Sequence, residues 1–252
     1  MNLPFLVHLV FAFSASLHSG ETEGDFRCEG LTVHLAPTAR FLYLIVDEKS
    51  MMARGESPLV IRDLKAEKNP IVPLHLAVPR VPAEGLVYRS IPRDRDRGLV
   101  IEQHVDAHEK TISWNVRVSN RSEKSESIEL ELAFPLRLKE DWKFFDGKRE
   151  ISDRKEMARI ELGTGNDREK ARDFVIAAFD GERGLAVSGT AGAGSRRVTG
   201  GARRYPGMWK LVFNWDCALK PGESDEISYV MFRFDPEKGG ASVPARLKES
   251  AE

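Results

Sequence analysis

The sequence predicts an all-β fold, a large two-sheet antiparallel β-sandwich with little helix, and three observations carry that prediction. Apolar and polar residues alternate over long runs, strand-like segments recur at short spacing with turn residues between them, and no helical period persists for ten residues. The clearest alternation lies between Gly98 and Leu136. There Ile112, Trp114, Val116 and Val118 alternate with Ser113, Asn115, Arg117 and Ser119, and Ile128, Leu130, Leu132 and Phe134 with Glu129, Glu131 and Ala133. Side chains on a strand point to opposite faces in turn, so each run presents one apolar and one wet face. The polar stretch from Asn120 to Glu126 separates the runs. They are therefore expected to pair as an antiparallel hairpin whose apolar side is covered by a second sheet.

Further strands are expected at 27–35, 41–46, 59–64, 71–78, 86–91 and 99–105. Pro70 and Pro79 bracket 71–78 and mark it as an edge strand, because proline removes a ladder donor. Segments 174–179 and 185–188 flank Asp180-Gly181-Glu182-Arg183-Gly184, and 209–219 and 227–234 flank Lys220-Pro221-Gly222-Glu223-Ser224. Both read as further hairpins. Only 167–172 and 245–250 have room for a turn or two of helix. One sandwich spanning 24–236, followed by a C-terminal tail at 237–252, accounts for a strand count beyond an immunoglobulin-sized domain.

The formal charge of −1 gives no global field to attract nucleic acid, and no nucleic-acid partner is expected. Residues 1–19 read as a signal peptide: Leu3 to Ala15 is apolar apart from Pro4, His8 and Ser14, and small residues follow. The run is too short to span a bilayer and lacks a preceding Lys or Arg; a buried strand is the alternative. A secreted or extracytoplasmic location with no membrane span in the mature chain is thus expected. Cys28 and Cys217 are the only cysteines. In an exported chain they permit a disulfide, while the parity of Cys217 with Trp209, Leu211, Phe213 and Trp215 also fits a buried thiol, and the sequence leaves both open. No metal or cofactor motif is present, and neither G-x-S-x-G nor H-E-x-x-H occurs.

Several groups of residues carry potential chemistry. Glu102, His104, Asp106 and His108 share strand parity, yet the two histidines would stand roughly 13 Å apart at ~3.3 Å per residue, too far to share a metal. Gly189 to Arg197 resembles a phosphate loop without its Lys, and reads as a long mobile loop with a basic tip suited to anionic sugars or sulfates. Trp142, Phe144 and Phe145, among charged residues, and Tyr205 with Trp209 form two aromatic clusters. Aromatic faces with flanking polar groups suit sugar rings; the alternative is that Trp142 and Phe145 plug a sandwich end while Trp209 opens a core strand. Asn120-Arg121-Ser122 is an N-x-S sequon.

Three stretches together are similar to a known family. Trp114 to Ser122, running into Leu130, Leu132 and Phe134-Pro135-Leu136, resembles the central strands of galactose-mutarotase-like supersandwich domains. Asp180 to Val187 resembles a hairpin seen there, and Phe232-Arg233-Phe234-Asp235-Pro236 resembles the last strand of such domains in bacterial glycosidase-like proteins, where the sandwich precedes a catalytic barrel. The resemblance implies a non-catalytic carbohydrate-binding or accessory sandwich of a glycoside-processing system, with carbohydrate and a glycosidase catalytic domain or protein as partners. Trp142, Phe145, Tyr205 and Trp209 are the residues expected to stack on sugar, with Arg203 and Arg204 as polar contacts. The rival expectations are a sugar epimerase or glycan-cleaving enzyme using histidine with Asp or Glu, and an extracytoplasmic scaffold.

Overall fold

Residues 24–36, 41–51, 59–72, 74–80, 86–92, 97–158, 160–164, 172–191, 195–205 and 208–251 are described by a computed structural model. The expected leader and the helical turn at 167–172 lie outside this set, apart from Arg172. Among the described residues the strands form three antiparallel sheets. The first has the order β1 (Gly24–Cys28), β2 (Leu31–Leu35), β3 (Phe41–Val46) and β4 (Lys49–Ser50). In the second, β13 (Ile160–Thr164), β16 (Ser195–Tyr205), β17 (Met208–Leu219), β10 (Glu126–Leu136) and β5 (Leu59–Asp63) lie side by side. The third runs β12 (Glu150–Ile151), β11 (Lys143–Phe145), β14 (Arg172–Phe179), β15 (Gly184–Ala191), β18 (Ser224–Arg233), β9 (Ile112–Asn120), β8 (Leu99–Ala107), β7 (Leu86–Pro92) and β6 (Leu74–Arg80). Pro79 sits on β6, the terminal strand of its sheet, where a missing donor is tolerated.

The alternating residues do what their period demands. Trp114, Val116 and Val118 of β9 and Ile128, Leu130, Leu132 and Phe134 of β10 are fully buried in one core shared by all three sheets. Trp114 meets Phe134 edge-on at 5.8 Å, Phe134 meets Phe213 at 6.1 Å, and Phe213 meets Tyr229 at 5.2 Å. These contacts also correct the expected pairing. β9 and β10 do not form a hairpin: β9 pairs with β8 and β18, whereas β10 pairs with β17 and β5. The strands expected to pair across 220–224 are separated likewise, β17 in the five-stranded sheet and β18 in the nine-stranded one. Residues of a hairpin share one sheet surface, but these pairs face each other across the core, so each turn carries the chain from one sheet to the other. Of the three expected hairpins only β14–β15 is formed.

The two crossovers dock on each other. Asn120 N donates to Glu223 O at 2.9 Å and accepts at its own carbonyl from Gly222 N at 2.9 Å. The Asn120 side chain, 1% exposed, donates to Lys124 O and Leu219 O and accepts from the N–H and hydroxyl of Ser122. Gly98 completes the corner: its carbonyl accepts from Arg121 N, its φ is +58°, and a Cβ there would lie 2.6 Å from Ser122 N.

Three further expectations change. The segment 27–35 is two strands, because Glu29 and Gly30 form a turn in which Gly30 takes a φ of 66°. The glycine-rich stretch is not a long loop: β15 runs to Ala191 and β16 starts at Ser195, so Arg196 and Arg197 belong to a strand. The C-terminal tail is a docked element whose helix α1 (Val243–Ala251) lays Val243 and Leu247 against Phe145, Phe179, Phe232 and Phe234. The cysteines are free thiols rather than a bridge. Cys217 is buried and its thiol donates to Asp225, with burial raising its pKa, while burial pushes the half-buried Cys28 up to about 11.

The turn of the β14–β15 hairpin is pinned by Asp180, whose buried carboxylate accepts from Glu182 N, Arg183 N, Arg183 Nη2 and, from a separate loop, Lys139 N. Burial alone would raise its pKa, yet the N–H of Lys139 and the guanidinium of Arg183 hold it below the ordinary aspartate range. A depressed native pKa adds stability above the unfolded value of ~3.9, and that stability is lost as pH falls through the native value. Urea midpoints should therefore drop below about pH 4, and Asp180→Asn should lower stability at pH 7 and flatten the acid limb. An unchanged acid limb in this variant refutes the assignment. Asn120→Ala should cost about 2–3 kcal/mol, since it strands several buried partners, and Gly98→Ala about 1–3 kcal/mol from strain and backbone overlap. Denaturant midpoints of the two variants test the corner, and shifts below ~0.5 kcal/mol would show that it contributes little.

Candidate functional site

In the five-stranded sheet the core takes Leu211, Phe213 and Trp215 of β17, so Lys210, Val212 and Asn214 point to the opposite face. Register places their neighbours. One row across the strands reads Val60, Glu131, Asn214, Thr199 and Glu161. The next is Ala133, Val212 and Gly201, small and apolar, and the third is Pro135, Lys210 and Arg203.

Long polar side chains converge over the small row onto Glu131, which is 3% exposed. Tyr205 Oη donates to Glu131 Oε1 at 3.0 Å, while Arg203 Nη1 and Asn214 Nδ2 approach Oε2 at 3.3 and 3.4 Å. Arg203 Nη2 also donates to Asn214 Oδ1 at 2.8 Å. Arg62 Nη2 stands 3.7 Å from Glu131 Oε2, and Arg62 Nε 3.7 Å from Glu129 Oε1. Lys210 Nζ lies 4.3 Å over the Tyr205 ring. Burial, then the charge of Glu131, raises the Tyr205 pKa; burial lowers that of Lys210. Thr199, 1% exposed on the same face, keeps a hydroxyl without a hydrogen-bond partner. A buried carboxylate is tolerated only when well paired. Here the pairing fixes the orientation of a tyrosine, an asparagine and two arginines at once, which is how a polar ligand site is preorganised.

Of the six residues expected to touch sugar, Arg203 and Tyr205 lie in this cluster. Trp142 and Trp209 meet each other at 5.3 Å, but Arg154 lies over both rings, 4.3 and 5.6 Å from their centroids. Arg154 Nη1 donates to Trp142 O at 2.9 Å, so the pair already stacks on a cation from its own chain. Trp142 is 3% exposed and Phe145 4%, with Phe145 packed in the separate apolar cluster under α1; neither offers an open ring face. Arg204 is exposed near the end of β16. His104 lies on the solvated face of β8, and His108 stands beyond that strand in a turn. His108 Nε2 is 3.4 Å from Ser113 Oγ and 3.9 Å from Asp106 Oδ2. One nitrogen thus serves both neighbours, which is not the relay of a catalytic triad. Among the described residues no group of His, Cys, Asp and Glu is arranged to hold a metal.

Sequence reading missed Arg62, Glu131, Lys210 and Asn214. Their one signal is parity: each is polar at an outward position of a core strand. Only the register, which sequence leaves open, shows that they meet.

No helix among the described residues is long and apolar enough to cross a membrane. The chain matches no known protein-family profile and no curated protein by sequence. Solved structures do match in shape. One is a GH36 alpha-galactosidase from Geobacillus stearothermophilus, with a TM-score of 0.52, 11% identity and coverage of 84% of this chain and 40% of that one. A second alpha-galactosidase from that organism, solved with stachyose, gives a TM-score of 0.51 and 11% identity over 85% of this chain and 41% of its own. This chain therefore spans less than half the length of these glycosidases. A galactose mutarotase related enzyme from Lactobacillus acidophilus gives 0.53 and 10% identity over 84% of this chain and 97% of its own. The three sheets, their antiparallel register and these matches agree: the chain has the galactose mutarotase-like β-sandwich fold.

Proposed function

We propose that the chain is an exported, non-catalytic carbohydrate-binding or accessory β-sandwich of a glycoside-processing system, partnered with a glycosidase catalytic domain or protein. The observation that carries this reading is the cluster around Glu131, where polar side chains of β5, β10, β16 and β17 meet above a row of small residues. Sugar recognition needs several fixed donors and acceptors around a shallow surface, and this face supplies them without an open histidine–carboxylate pair for proton transfer. That the shape matches include glycosidases and a mutarotase-related enzyme fits a carbohydrate ligand. In this reading Arg203 and Tyr205 contact sugar, with Arg62, Lys210 and Asn214 beside them. Trp209 and Arg204 pair with each other where β16 passes into β17, with the parity of the core residues Leu211 and Phe213, and so belong to the other side of the sheet.

One observation favours a second reading, a sugar epimerase or glycan-cleaving enzyme: the Tyr205 hydroxyl already donates to Glu131, so a proton donor and a carboxylate stand together. Incubating the protein with a glycan panel, and reading retention and glycan mass in the same wells, separates the two. Retention with unchanged mass is the expected result, and a mass change replaces the binding reading by the enzymatic one. Tyr205→Phe should weaken retention about five- to tenfold, the value of one hydrogen bond to a neutral sugar hydroxyl, while leaving the fold intact. Trp142→Ala should instead destabilise by about 3–5 kcal/mol, as truncation of a buried aromatic does, with glycan affinity per folded molecule unchanged. The reverse outcome, affinity lost with Trp142 and kept without the Tyr205 hydroxyl, moves the ligand to the Trp142–Trp209 pair.

A further inference from the structure

The nine-stranded sheet has an outer face that the Glu131 cluster does not reach. β11 pairs with β14 only at Ala177–Phe179, so toward Arg172 β14 has no further neighbour on that side among the described residues. A cavity of about 270 Å³ opens there, between β13, β14, the 146–148 turn and α1. That is just below the roughly 300–1,000 Å³ of drug-sized ligand pockets, the scale of one ring. Its floor is apolar, from Leu162, Phe174, Val175 and Leu247. Close packing sets its walls: a Cβ on Gly189 would lie 2.2 Å from the Phe174 ring, and one on Gly147, whose φ is +90°, 2.8 Å from Val175 O. The rim mixes donors and acceptors. Ser188 Oγ donates to Phe174 O at 3.0 Å and keeps its lone pairs to accept, while Lys148 adds an ammonium donor. Asp146 and Glu161 add carboxylates, the first held by Lys148 N and Arg149 N at 2.8 Å, the second by Arg197. A hydroxyl both donates and accepts, so this rim suits a sugar ring with its apolar side on the floor. A carboxylate or sulfate only accepts, and would meet two acids.

Short side chains lead away from the cavity across the sheet. Thr190, Ser228, Asn115 and His104 stand side by side on β15, β18, β9 and β8, all partly exposed and about 4.8 Å apart from strand to strand. The next row is Val175, Ser188, Val230 and Ser113, of which the first two line the cavity. Beyond that row α1 packs on the Phe232 cluster, and on the other side stand the longer Glu226, Arg117 and Glu102. Short residues between a helix and a charged ridge make a trough that ends in the cavity.

We propose that cavity and trough form a second saccharide site, which takes one uncharged pyranose ring in the cavity and the following units of its chain along Thr190, Ser228 and Asn115. The inference rests on the carbohydrate reading above and places a neutral glycan on the sheet opposite the Glu131 face.

The test is calorimetric titration of the full chain with glucose, galactose and mannose, with a neutral tetrasaccharide of each, and with a tetrasaccharide of uronic acid. Titrations of the Tyr205→Phe chain, in which the Glu131 face is weakened, read this site. There Lys148→Ala should reduce affinity for both monosaccharide and neutral tetrasaccharide about five- to tenfold, and Asn115→Arg should do so for the tetrasaccharide alone. Lys148 is exposed and Asn115 partly so, and unchanged urea midpoints confirm that both variants fold. Binding indifferent to Lys148→Ala overturns the cavity site, and tetrasaccharide binding indifferent to Asn115→Arg overturns the trough; each leaves the carbohydrate reading standing. Tighter binding of the uronate here overturns the neutral class. An effect of Lys148→Ala with none of Tyr205→Phe keeps this site and removes sugar from the Glu131 face. Failure of every saccharide to bind overturns both readings.

Discussion

The corner where two chain crossovers lock together determines how this sandwich closes. The β9–β10 and β17–β18 connections each leave one sheet and enter the other, and they are joined by main-chain hydrogen bonds between Asn120 and the Gly222–Glu223 turn. Everything inward follows from that geometry. It brings Trp114 to Phe134 and sets β10 beside β17, and so lets Glu131 stand next to Asn214. The Asn120 side chain is suited to the task because an amide offers both donors and an acceptor, and here it serves partners on both crossovers.

The local period of the chain was legible; its partners were not. The parity of 112–118 and 128–134 named the fully buried residues of those two segments, since burying one face of a strand is a local choice. Which strand lies beside which depends on residues about ninety positions apart, such as Glu126 opposite Leu219. A turn of polar residues looks the same whether it folds a strand back beside itself or passes it over the core. The sheet-crossing turns at 120–126 and 220–224 therefore read as hairpins, while 180–184, with Asp180 capping its own turn, was read correctly.

The same asymmetry explains the site. Arg203 and Tyr205 stood out as residues beside glycine-rich and aromatic sequence. Glu131 did not, because on paper it is one of two wet-face glutamates, and its burial comes from neighbours supplied by β5, β16 and β17. Aromatic residues are hard to place for a related reason. A tryptophan among charged residues looks open to solvent, yet Arg154 returns from twelve residues downstream to cover Trp142 and bond its carbonyl. Cation and ring satisfy each other within the chain.

Asn120 also has a consequence for the cellular history of the protein. Asn120-Arg121-Ser122 fits the acceptor pattern for N-linked glycans, but its amide nitrogen donates to Lys124 O and Leu219 O inside the closed corner. A glycan attached there during translocation would replace an N–H that the fold needs and place a bulky sugar where the crossovers meet. In a host with oligosaccharyl transfer, modification and folding at this asparagine therefore exclude each other. Protein directed into the secretory pathway of such a host should divide into a folded, unmodified fraction and a glycosylated fraction that fails quality control, whereas a host without that machinery should give only the first.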